Sequence, residues 1–510
     1  MIAFLALVIP LLPFILVASL IQRIMVSRQK YHRDTHDLKI AVIGGGWSGK
    51  QCIARLHELG VTNISGFDRN DNYGGTWHEK LRYYSVQIHG AMWITGFKDF
   101  AYSTDKDVSD GKVLGEEMKD FLGRFVREKN LQRVYKYNTR VVGIDYSSSD
   151  RKATLKLESA DGSKTWTEDN FDLVIYASQA SEPSIPHLPN KEKFNGQIYH
   201  TIDFKKEVFD GIISNHKKVV VVGGSKSACD MALCLHRSKY DNFEWLYRKP
   251  YLFWKYEAMF HNRSILNSIR GIVTIVATLL SIVSLQLAGW LLWAGGIAVT
   301  YGKEKHNNWN KFHFGILCPR QRKDLASIPD TRMIHANPVG YTSTGLELAG
   351  GESVDADVIL WATGCGSGID KIMLTKDGKP YSIDPDGKML DHFIFPSFPV
   401  LANSTSLWTT FGPVRAVNSA EMAIKHLCIH KYRNEEAMVK SSSWNLSGSN
   451  AVSGMLFQSK TNAMETFVKM HLDLILRGHV NILDFVQHVV EIFCFAKQTP
   501  LKMRLPLKYD

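Results

Sequence analysis

At 510 residues the chain is too long for one hydrophobic core, and its length suits two or three domains. Apolar residues at 45% and charged residues at 22% exclude the disordered and collagen-like classes. The formal net charge of +11 is spread out, without a basic run, which favours a nucleotide or lipid head groups over nucleic acid as the anionic partner.

The first 22 residues carry no charge. As a helix they cover about 33 Å, enough to cross a hydrocarbon core of about 30 Å. A cleaved signal peptide is disfavoured because its apolar stretch is shorter and follows a basic start. Arg23, Arg28, Lys30 and Arg33 precede the first acid, so the positive-inside rule places the body in the cytosol. Residues 1–22 are therefore predicted to anchor the chain in the endoplasmic reticulum or a similar membrane.

A nucleotide-binding pattern follows the anchor. A short apolar strand leads into Gly44, Gly46 and Gly49 in GxGxxG spacing, and then into a helical pattern. The glycines let the backbone approach a pyrophosphate at the amino terminus of the helix. A second strand ends at Asp68, 24 residues after Gly44, where a carboxylate can bind a ribose hydroxyl. Strand, glycines, helix and acid in this order predict a dinucleotide-binding domain.

A looser copy of the pattern returns after an apolar strand at 219–222. Gly223 and Gly224 open the turn, and Ser225 and Ala228 stand where the later glycines would be. The two copies share their closing element, because each is followed by a similar apolar strand more than 130 residues after its first glycine. The sequence therefore predicts a duplicated architecture.

The residue that follows the second strand distinguishes the two copies. Where the first copy has Asp68, the second has Arg248 and Lys249. An acid favours a free 2′-hydroxyl, whereas a basic pair favours a 2′-phosphate. FAD and NADPH are thus the predicted cofactors, and a solvated basic pair is the alternative for the second copy.

Residues 271–301 form an uncharged run of 31 residues within the second copy. Both of its ends must stay on one side of a membrane, and the run is too short for two crossings. Trp290, Trp293 and the flanking basic residues favour a shallow helical hairpin in one leaflet, and a pair of buried helices is the alternative. The tail at 463–510 is amphipathic, which suits either a membrane surface or a core-facing helix.

The predicted fold class is α/β, with two Rossmann-like dinucleotide-binding domains and membrane-associating helices. The predicted boundaries are an anchor at 1–22, the first part of an FAD domain at 38–187, an NADPH domain at 188–361 with the insert at 271–301, the second part of the FAD domain at 362–450, and a helical tail at 463–510.

Further segments carry a family resemblance: YGGTW at 73–77, FNGQIYHTIDF at 194–204 and WATG at 361–364, together with both glycine loops. The chain resembles the class B flavoprotein monooxygenases, the group of flavin-containing monooxygenases, N-hydroxylases and Baeyer–Villiger enzymes. The FxGxxxHxxxF pattern of the second segment is the most specific. Baeyer–Villiger enzymes normally have Trp and Pro where this chain has Phe204 and Lys205, so the chain looks more like the flavin-containing monooxygenase branch.

The resemblance implies that NADPH gives hydride to FAD, that the reduced flavin takes up O₂ at C4a, and that one oxygen atom passes to a lipophilic small molecule. The predicted partners are this substrate, O₂ and membrane lipid, without nucleic acid. Such chemistry requires positioning and water exclusion, and the sequence has no HExxH, GxSxG or zinc-ligand spacing, so no metal site is predicted. Baeyer–Villiger oxygenation of a ketone and a membrane-bound NADPH:acceptor reductase of the quinone type are the alternatives.

The resemblance also implies roles for single residues. His200 is the fingerprint histidine that couples the two nucleotide domains, and His89 stands near where relatives carry an Asn or Asp over the flavin; a packing histidine is the alternative for His89. Ser178 and Gln179 replace the Thr-Gly that the family commonly has, which leaves a nucleotide-binding protein without turnover as a third hypothesis. The predicted cofactor-binding residues are Gly44, Gly46, Gly49, Asp68, Gly75, Trp77, Gly223, Ser225, Ser227, Arg248, Lys249, Thr363 and Gly364.

Overall fold

The computed structural model describes residues 12–27, 34–88, 100, 114–178, 182–248, 253–255, 285–296, 298–299, 315–366, 369–382, 394–395, 398–404, 424, 427 and 483. The α-helices in these ranges are α1 Leu12–Ser27, α2 Trp47–Glu58, α3 Gly115–Glu128, α4 Lys206–Ser214, α5 Lys226–Arg237, α6 Leu285–Ala294 and α7 Pro319–Ala326.

The strands of the amino-terminal half are β1 Lys39–Ile43, β2 Asn63–Phe67, β3 Tyr135–Lys136, β4 Thr139–Ser147, β5 Lys152–Ser159, β6 Thr165–Phe171, β7 Leu173–Tyr176, β8 Glu182–Pro183, β9 Gln197–His200, β10 Val219–Val222, β11 Phe243–Tyr247 and β12 Phe253–Lys255. The later strands are β13 Ala298–Val299, β14 Gly315–Leu317, β15 Met333–His335, β16 Pro338–Tyr341, β17 Gly345–Leu348, β18 Ser353–Asp355, β19 Val358–Trp361, β20 Cys365–Gly366, β21 Met373–Lys376, β22 Lys379–Tyr381, β23 Ile394–Phe395 and β24 Phe398–Asn403.

The first nucleotide pattern lies in a six-stranded sheet of order β23-β24-β7-β1-β2-β3. Its five strands from β24 to β3 are parallel, so their carboxyl ends meet at one edge. One face packs against α2 and α3, and the other packs against a five-stranded sheet of order β22-β21-β4-β5-β6. The strands between these layers are buried on both faces, which explains the continuous apolar run at 40–43.

The second nucleotide pattern lies in an all-parallel sheet of order β15-β11-β10-β19-β9. Val219 and Val221 face the core built with α4, α5 and α7, while Val220 and Val222 face the small antiparallel sheet β16-β17-β18. In both sheets the strand before the glycine turn is flanked by the second strand of its copy and by the return strand. The predicted α/β class is confirmed; the predicted domain boundaries stay a prediction.

The predicted membrane localisation is wrong. Within the described part of the chain, no helix is both long and apolar enough to cross a membrane. Helix α1 begins at Leu12, runs past Arg23 and ends at Ser27, and its 16 residues cover only about 24 Å. The predicted anchor at 1–22 overlaps this helix at 12–22, and residues 1–11 lie outside the described residues.

The membrane-associating part of the predicted fold class is likewise unsupported. In the uncharged run, α6 has ten residues and leads into β13, which pairs with β12 in a small sheet. Leu292 of this helix is buried, whereas Trp290 is exposed. Residues 271–284 and, apart from Leu483, the tail at 463–510 lie outside the described residues, as do His89, Gln179 and Lys249.

Candidate cofactor site

The turn after β1 packs directly against the end of the return strand β7. A Cβ atom on Gly44 would lie 3.0 Å from the backbone carbonyl of Ala177, and a Cβ on Gly49 would lie 1.9 Å from the Gly44 carbonyl oxygen. The Tyr135 hydroxyl donates to the same oxygen at 3.0 Å. Side chains at either glycine would therefore separate α2 from the sheet.

Two further glycines bring the predicted FAD loop and the YGGTW segment together. Gly75 has φ +56°, and a Cβ there would lie 2.5 Å from the Cα of Gly46. Gly46 is also the N-cap of α2 and gives the helix no side-chain cap. The amides in the first turn of α2 are thus available to another hydrogen-bond acceptor. Gly46 and Gly75, which lie next to them, have no side chains that would block its approach. This arrangement fits the pyrophosphate of a dinucleotide.

Asp68 lies at the carboxyl end of β2, next to this turn, and is buried. Its carboxylate accepts hydrogen bonds from the backbone amides of Gly45 and, at 2.8 Å, Asn70. Burial raises the pKa of Asp68, while these amides and the Lys50 ammonium oppose that shift. Each carboxylate oxygen retains a lone pair for a ribose hydroxyl.

Trp77 occupies a different environment from the glycines near it. Its side chain is buried in an apolar cluster with Ile88 and Met118. This packing holds the YGGTW segment against α3, because Met118 lies in that helix. A contact between Trp77 and a cofactor stays a prediction.

The second turn repeats the geometry of the first. A Cβ on Gly223 would lie 2.4 Å from the carbonyl oxygen of Ala362, which follows the return strand β19. The Trp245 indole donates to the Gly223 carbonyl at 2.6 Å. Ser225 is the N-cap of α5 and its side chain accepts no cap bond, so this helix terminus also fits an anion. Burial and Asp230 raise the pKa of Tyr83 well above its usual range, and a hydrogen bond with the Ser227 side chain opposes that shift.

Arg248 follows β11 at the same edge of the second sheet and is exposed. Its backbone carbonyl accepts a hydrogen bond from His335 Nε2 at 3.0 Å. The His335 ring stacks on Tyr247, with 5.5 Å between ring centroids. These contacts hold the backbone of Arg248 at the strand end where a 2′-phosphate is predicted to bind. Lys249 lies outside the described residues.

His200 connects β9 to the segment that follows the second return strand. Its Nε2–H donates to the Gly364 carbonyl at 2.8 Å, and its Nδ1 accepts from the Ile202 amide at 3.4 Å. These partners require the neutral tautomer with the proton on Nε2. Burial is the main cause that lowers the pKa of His200, and the Gly364 carbonyl and Asp203 oppose it.

The segment that His200 contacts at Gly364 continues directly into β20. This strand pairs with β8 in a two-stranded sheet. The Thr363 hydroxyl donates to the Ser184 carbonyl, and the Ser184 amide donates to the Gly364 carbonyl at 3.0 Å. Thr363 and Gly364 thus lie in the crossover that joins the two parallel sheets. Their predicted contact with a cofactor stays a prediction.

Three polar groups near the turns were missed by the sequence analysis. Lys205 donates hydrogen bonds to three backbone carbonyls in 79–82. Asp230 accepts hydrogen bonds from Tyr83 and Lys226. Lys50 is buried, and its charge interacts with that of Asp68. Each joins segments that are far apart in the sequence. The one available signal was a lysine inside an otherwise uncharged helix start, directly after Gly49.

Comparison with known families gives a match over residues 37–243 to the family described as FMO-like, flavin-binding monooxygenase-like. The matched range contains the first turn, the YGGTW segment, the FxGxxxHxxxF segment and the second turn. FAD and NADPH, predicted from the two turns, are the cofactors that this match supports.

Curated relatives include trimethylamine monooxygenase from Pelagibacter ubique, 30% identical over 223 residues, which make up 39% of this chain and 48% of the relative. The chain thus spans about half the length of this relative. A longer match, to the probable FAD-binding monooxygenase AlmA from Acinetobacter sp., is 24% identical and covers 67% of this chain and 71% of the relative.

A solved structure of OTEMO in complex with FAD and NADP has the same fold. Its TM-score is 0.60 at 15% identity, over 86% of this chain and 97% of that one. The fold, the paired glycine turns and the family match agree over the same segments. Over residues 37–243, the chain is thus similar to the flavin-binding monooxygenase-like family.

Proposed function

We propose that the chain is an NADPH-dependent FAD monooxygenase that inserts one atom of O₂ into a small molecule. The observation that carries the proposal is the pair of parallel sheets, each with a glycine turn packed on its own return strand, within a chain that is similar to a flavin-binding family. Two dinucleotide sites in one chain suit hydride passage from one cofactor to the other.

The first turn is proposed to hold FAD. The amino terminus of α2 receives the pyrophosphate above Gly46 and Gly75, and Asp68 accepts a ribose hydroxyl. Gly44 and Gly49 keep α2 close to the sheet, which points the helix terminus at the phosphates.

The second turn is proposed to hold NADPH. The amino terminus of α5 receives the pyrophosphate, with Gly223, Ser225 and Ser227 around it. Arg248 and Lys249 bind the 2′-phosphate, for which a guanidinium provides a bidentate partner. The FAD domain is then proposed at 38–187 and 362–450, and the NADPH domain at 188–361.

When bound, FAD and NADPH supply the hydride transfer and the activation of O₂. The residues of the chain bind, orient and exclude water. His200 keeps the crossover at Gly364 in one register, so that the two sites hold a fixed relation to each other. His89 is proposed to face the flavin.

The substrate is proposed to be a small molecule with an oxidisable amine nitrogen. Relatives of the chain are named for such substrates, among them trimethylamine monooxygenase and a senecionine N-oxygenase from Tyria jacobaeae. The lipophilic character predicted from the apolar segments loses the support of a membrane anchor, so a short amine and a long-chain amine both belong in the first test.

Two alternatives differ in the fate of oxygen. Baeyer–Villiger oxygenation of a ketone stays within the same family, but Phe204 and Lys205 replace the Trp and Pro of that subset. An NADPH:acceptor reductase without oxygen insertion is not favoured, because the family match is to monooxygenases.

The test is oxygen labelling. Purified protein is incubated with NADPH, ¹⁸O₂ and, in turn, trimethylamine, N,N-dimethyldodecylamine, a thioether and cyclohexanone, and mass spectrometry follows the products. One ¹⁸O atom in an amine product supports the proposal, and label in the lactone supports the Baeyer–Villiger alternative. NADPH consumption matched by H₂O₂, without label in any product, would favour the reductase. Protein purified without flavin, and unable to take it up, would exclude all three.

A further inference from the structure

Lys50 is an unusual residue at the start of a nucleotide-binding helix. Its side chain is fully buried, and no other lysine or arginine in the described ranges is buried. The ammonium nitrogen lies 3.2 Å from the ring centroid of Tyr135 and donates to the Tyr137 hydroxyl at 2.8 Å. The two tyrosine rings are stacked on each other, 5.8 Å apart. Lys50 is thus enclosed by aromatic groups at the carboxyl end of β3.

This position is unfavourable for a cation. Burial lowers the pKa of Lys50 well below its usual range. The residue also lies near the amino terminus of α2, where the helix dipole is positive and disfavours a cation. The tyrosines compensate in part, through the hydrogen bond and the cation–π contact. For Lys50 to stay charged at this position, a nearby anion must oppose the effect of burial.

The buried acid nearest in the fold to this position is at the end of the neighbouring strand β2, Asp68. Its charge favours the charged form of Lys50, and Lys50 favours the carboxylate form of Asp68. The two groups act on each other without a direct ion pair, because no nitrogen–oxygen contact within 4 Å joins them. Asp68 instead directs its oxygens to the Gly45 and Asn70 amides at the mouth of the turn. The two groups lie at the carboxyl ends of neighbouring strands: the Asp68 amide donates to the Lys136 carbonyl at 3.1 Å, and Lys136 stands between the two tyrosines that hold Lys50.

We propose that Lys50 is a positioning residue for FAD: the ammonium, held by Tyr135 and Tyr137, keeps the buried Asp68 an anion, so that Asp68 accepts a ribose hydroxyl of the adenosine half. The inference rests on the proposed function of the first turn. A protonated Asp68 would lose acceptor capacity and present a hydroxyl donor instead. The charge-assisted hydrogen bond to ribose is about twice as strong as a neutral one, so the cation contributes to affinity without touching the cofactor.

A Lys50→Met substitution separates this role from packing. Methionine fills the same space without the charge. Replacing a buried charge by an apolar residue is often neutral or stabilising, so a lysine that only fills the core predicts an unchanged or higher midpoint of unfolding and unchanged FAD affinity. A lysine that supports Asp68 predicts about tenfold weaker FAD binding, the loss of one charge-assisted hydrogen bond.

The experiment is a double-mutant cycle on the deflavinated full chain. FAD is titrated into wild type, Lys50→Met, Asp68→Asn and the double variant, and the thermal midpoint of each apoprotein is measured. Asparagine cannot ionise, so Lys50→Met is expected to weaken FAD binding by less than twofold in the Asp68→Asn background. Equal losses in both backgrounds, or no loss in either, would overturn the inference.

Two further variants keep the test decisive. Lys152→Met removes a lysine that contacts another buried acid, Asp172, away from the turn, and it is expected to lower stability while leaving FAD affinity unchanged. Tyr137→Phe removes the hydroxyl that holds the ammonium and is expected to weaken FAD binding about threefold, the loss of a modest net hydrogen bond; if Lys50→Met does not fold, the Tyr137→Phe and Asp68→Asn cycle decides. Failure of the wild-type apoprotein to take up FAD would instead overturn the proposed function.

Discussion

At the scale of single residues, Gly75 is restricted both by its backbone conformation and by its contact with Gly46. Gly75 combines a left-handed backbone, with φ +56°, and a neighbouring Cα that a Cβ would approach to 2.5 Å. Gly378 has a similar φ of +73°, but a Cβ there would meet nothing within 4 Å. The two glycines thus share a left-handed backbone conformation and differ in how closely neighbouring atoms approach them.

Gly75→Ala is therefore expected to reduce FAD content, and Gly378→Ala is not. Both substitutions place alanine in the left-handed region, at a cost of about 1 kcal/mol of unfolding free energy. Only Gly75→Ala must also push the YGGTW segment away from the N-cap of α2, which we expect to weaken FAD binding at least tenfold. Flavin absorbance per polypeptide and urea unfolding measure the two effects. Equal flavin content in the two variants would contradict the prediction.

At the scale of elements, the sequence predicted the local units well. The strand predicted at 219–222 is observed as β10, and the strand predicted to end at Asp68 is observed as β2, which ends at Phe67. Both were found because an apolar run between turns needs only local information. The tyrosines around Lys50 lie about 85 residues away in the chain, so no pattern within a window could link them. At the amino terminus, the apolar stretch was read as ending before Arg23, whereas the described helix continues past Arg23 to Ser27.

His200 gives a prediction for the contact between β9 and the crossover. Its neutral tautomer serves both Gly364 and Ile202, and its folded pKa is lowered. The unfolded chain therefore takes up a proton near pH 6.5 before the folded chain does. The stabilisation is complete above about pH 6.5 and is lost as the pH falls from there through the folded pKa.

The measurement is urea unfolding of wild type and His200→Ala between pH 7.5 and 5. Wild type is expected to be more stable at pH 7.5, and the difference from His200→Ala is expected to narrow as the pH falls. The other histidines titrate in both proteins and cancel in the difference. A gap that stays constant, or that widens, would show that His200 is not neutral in the folded chain.

At the scale of the whole molecule, Lys205 ties the fingerprint segment to the segment after YGGTW. Its ammonium donates to the carbonyls of Glu79 at 2.8 Å, Lys80 at 3.2 Å and Arg82 at 2.7 Å. The Tyr84 amide donates to the Phe204 carbonyl beside it. A single lysine of the predicted NADPH domain thus satisfies three carbonyls of the predicted FAD domain.

Lys205→Met is expected to loosen this connection, whereas Lys206→Met provides the control. Lys206 is the next residue, but its ammonium pairs with Asp210 at the surface, where such a pair contributes little. Because Lys205 is only partly buried, we expect a loss of about 1 to 2 kcal/mol of unfolding free energy, below the full value for charged hydrogen bonds. FAD content should persist, while the KM for NADPH and the fraction of NADPH converted to H₂O₂ should rise severalfold, because the two sites no longer hold a fixed relation. Identical behaviour of the two variants would contradict this role of Lys205, and the two nucleotide sites would then be connected only through His200 and the crossover.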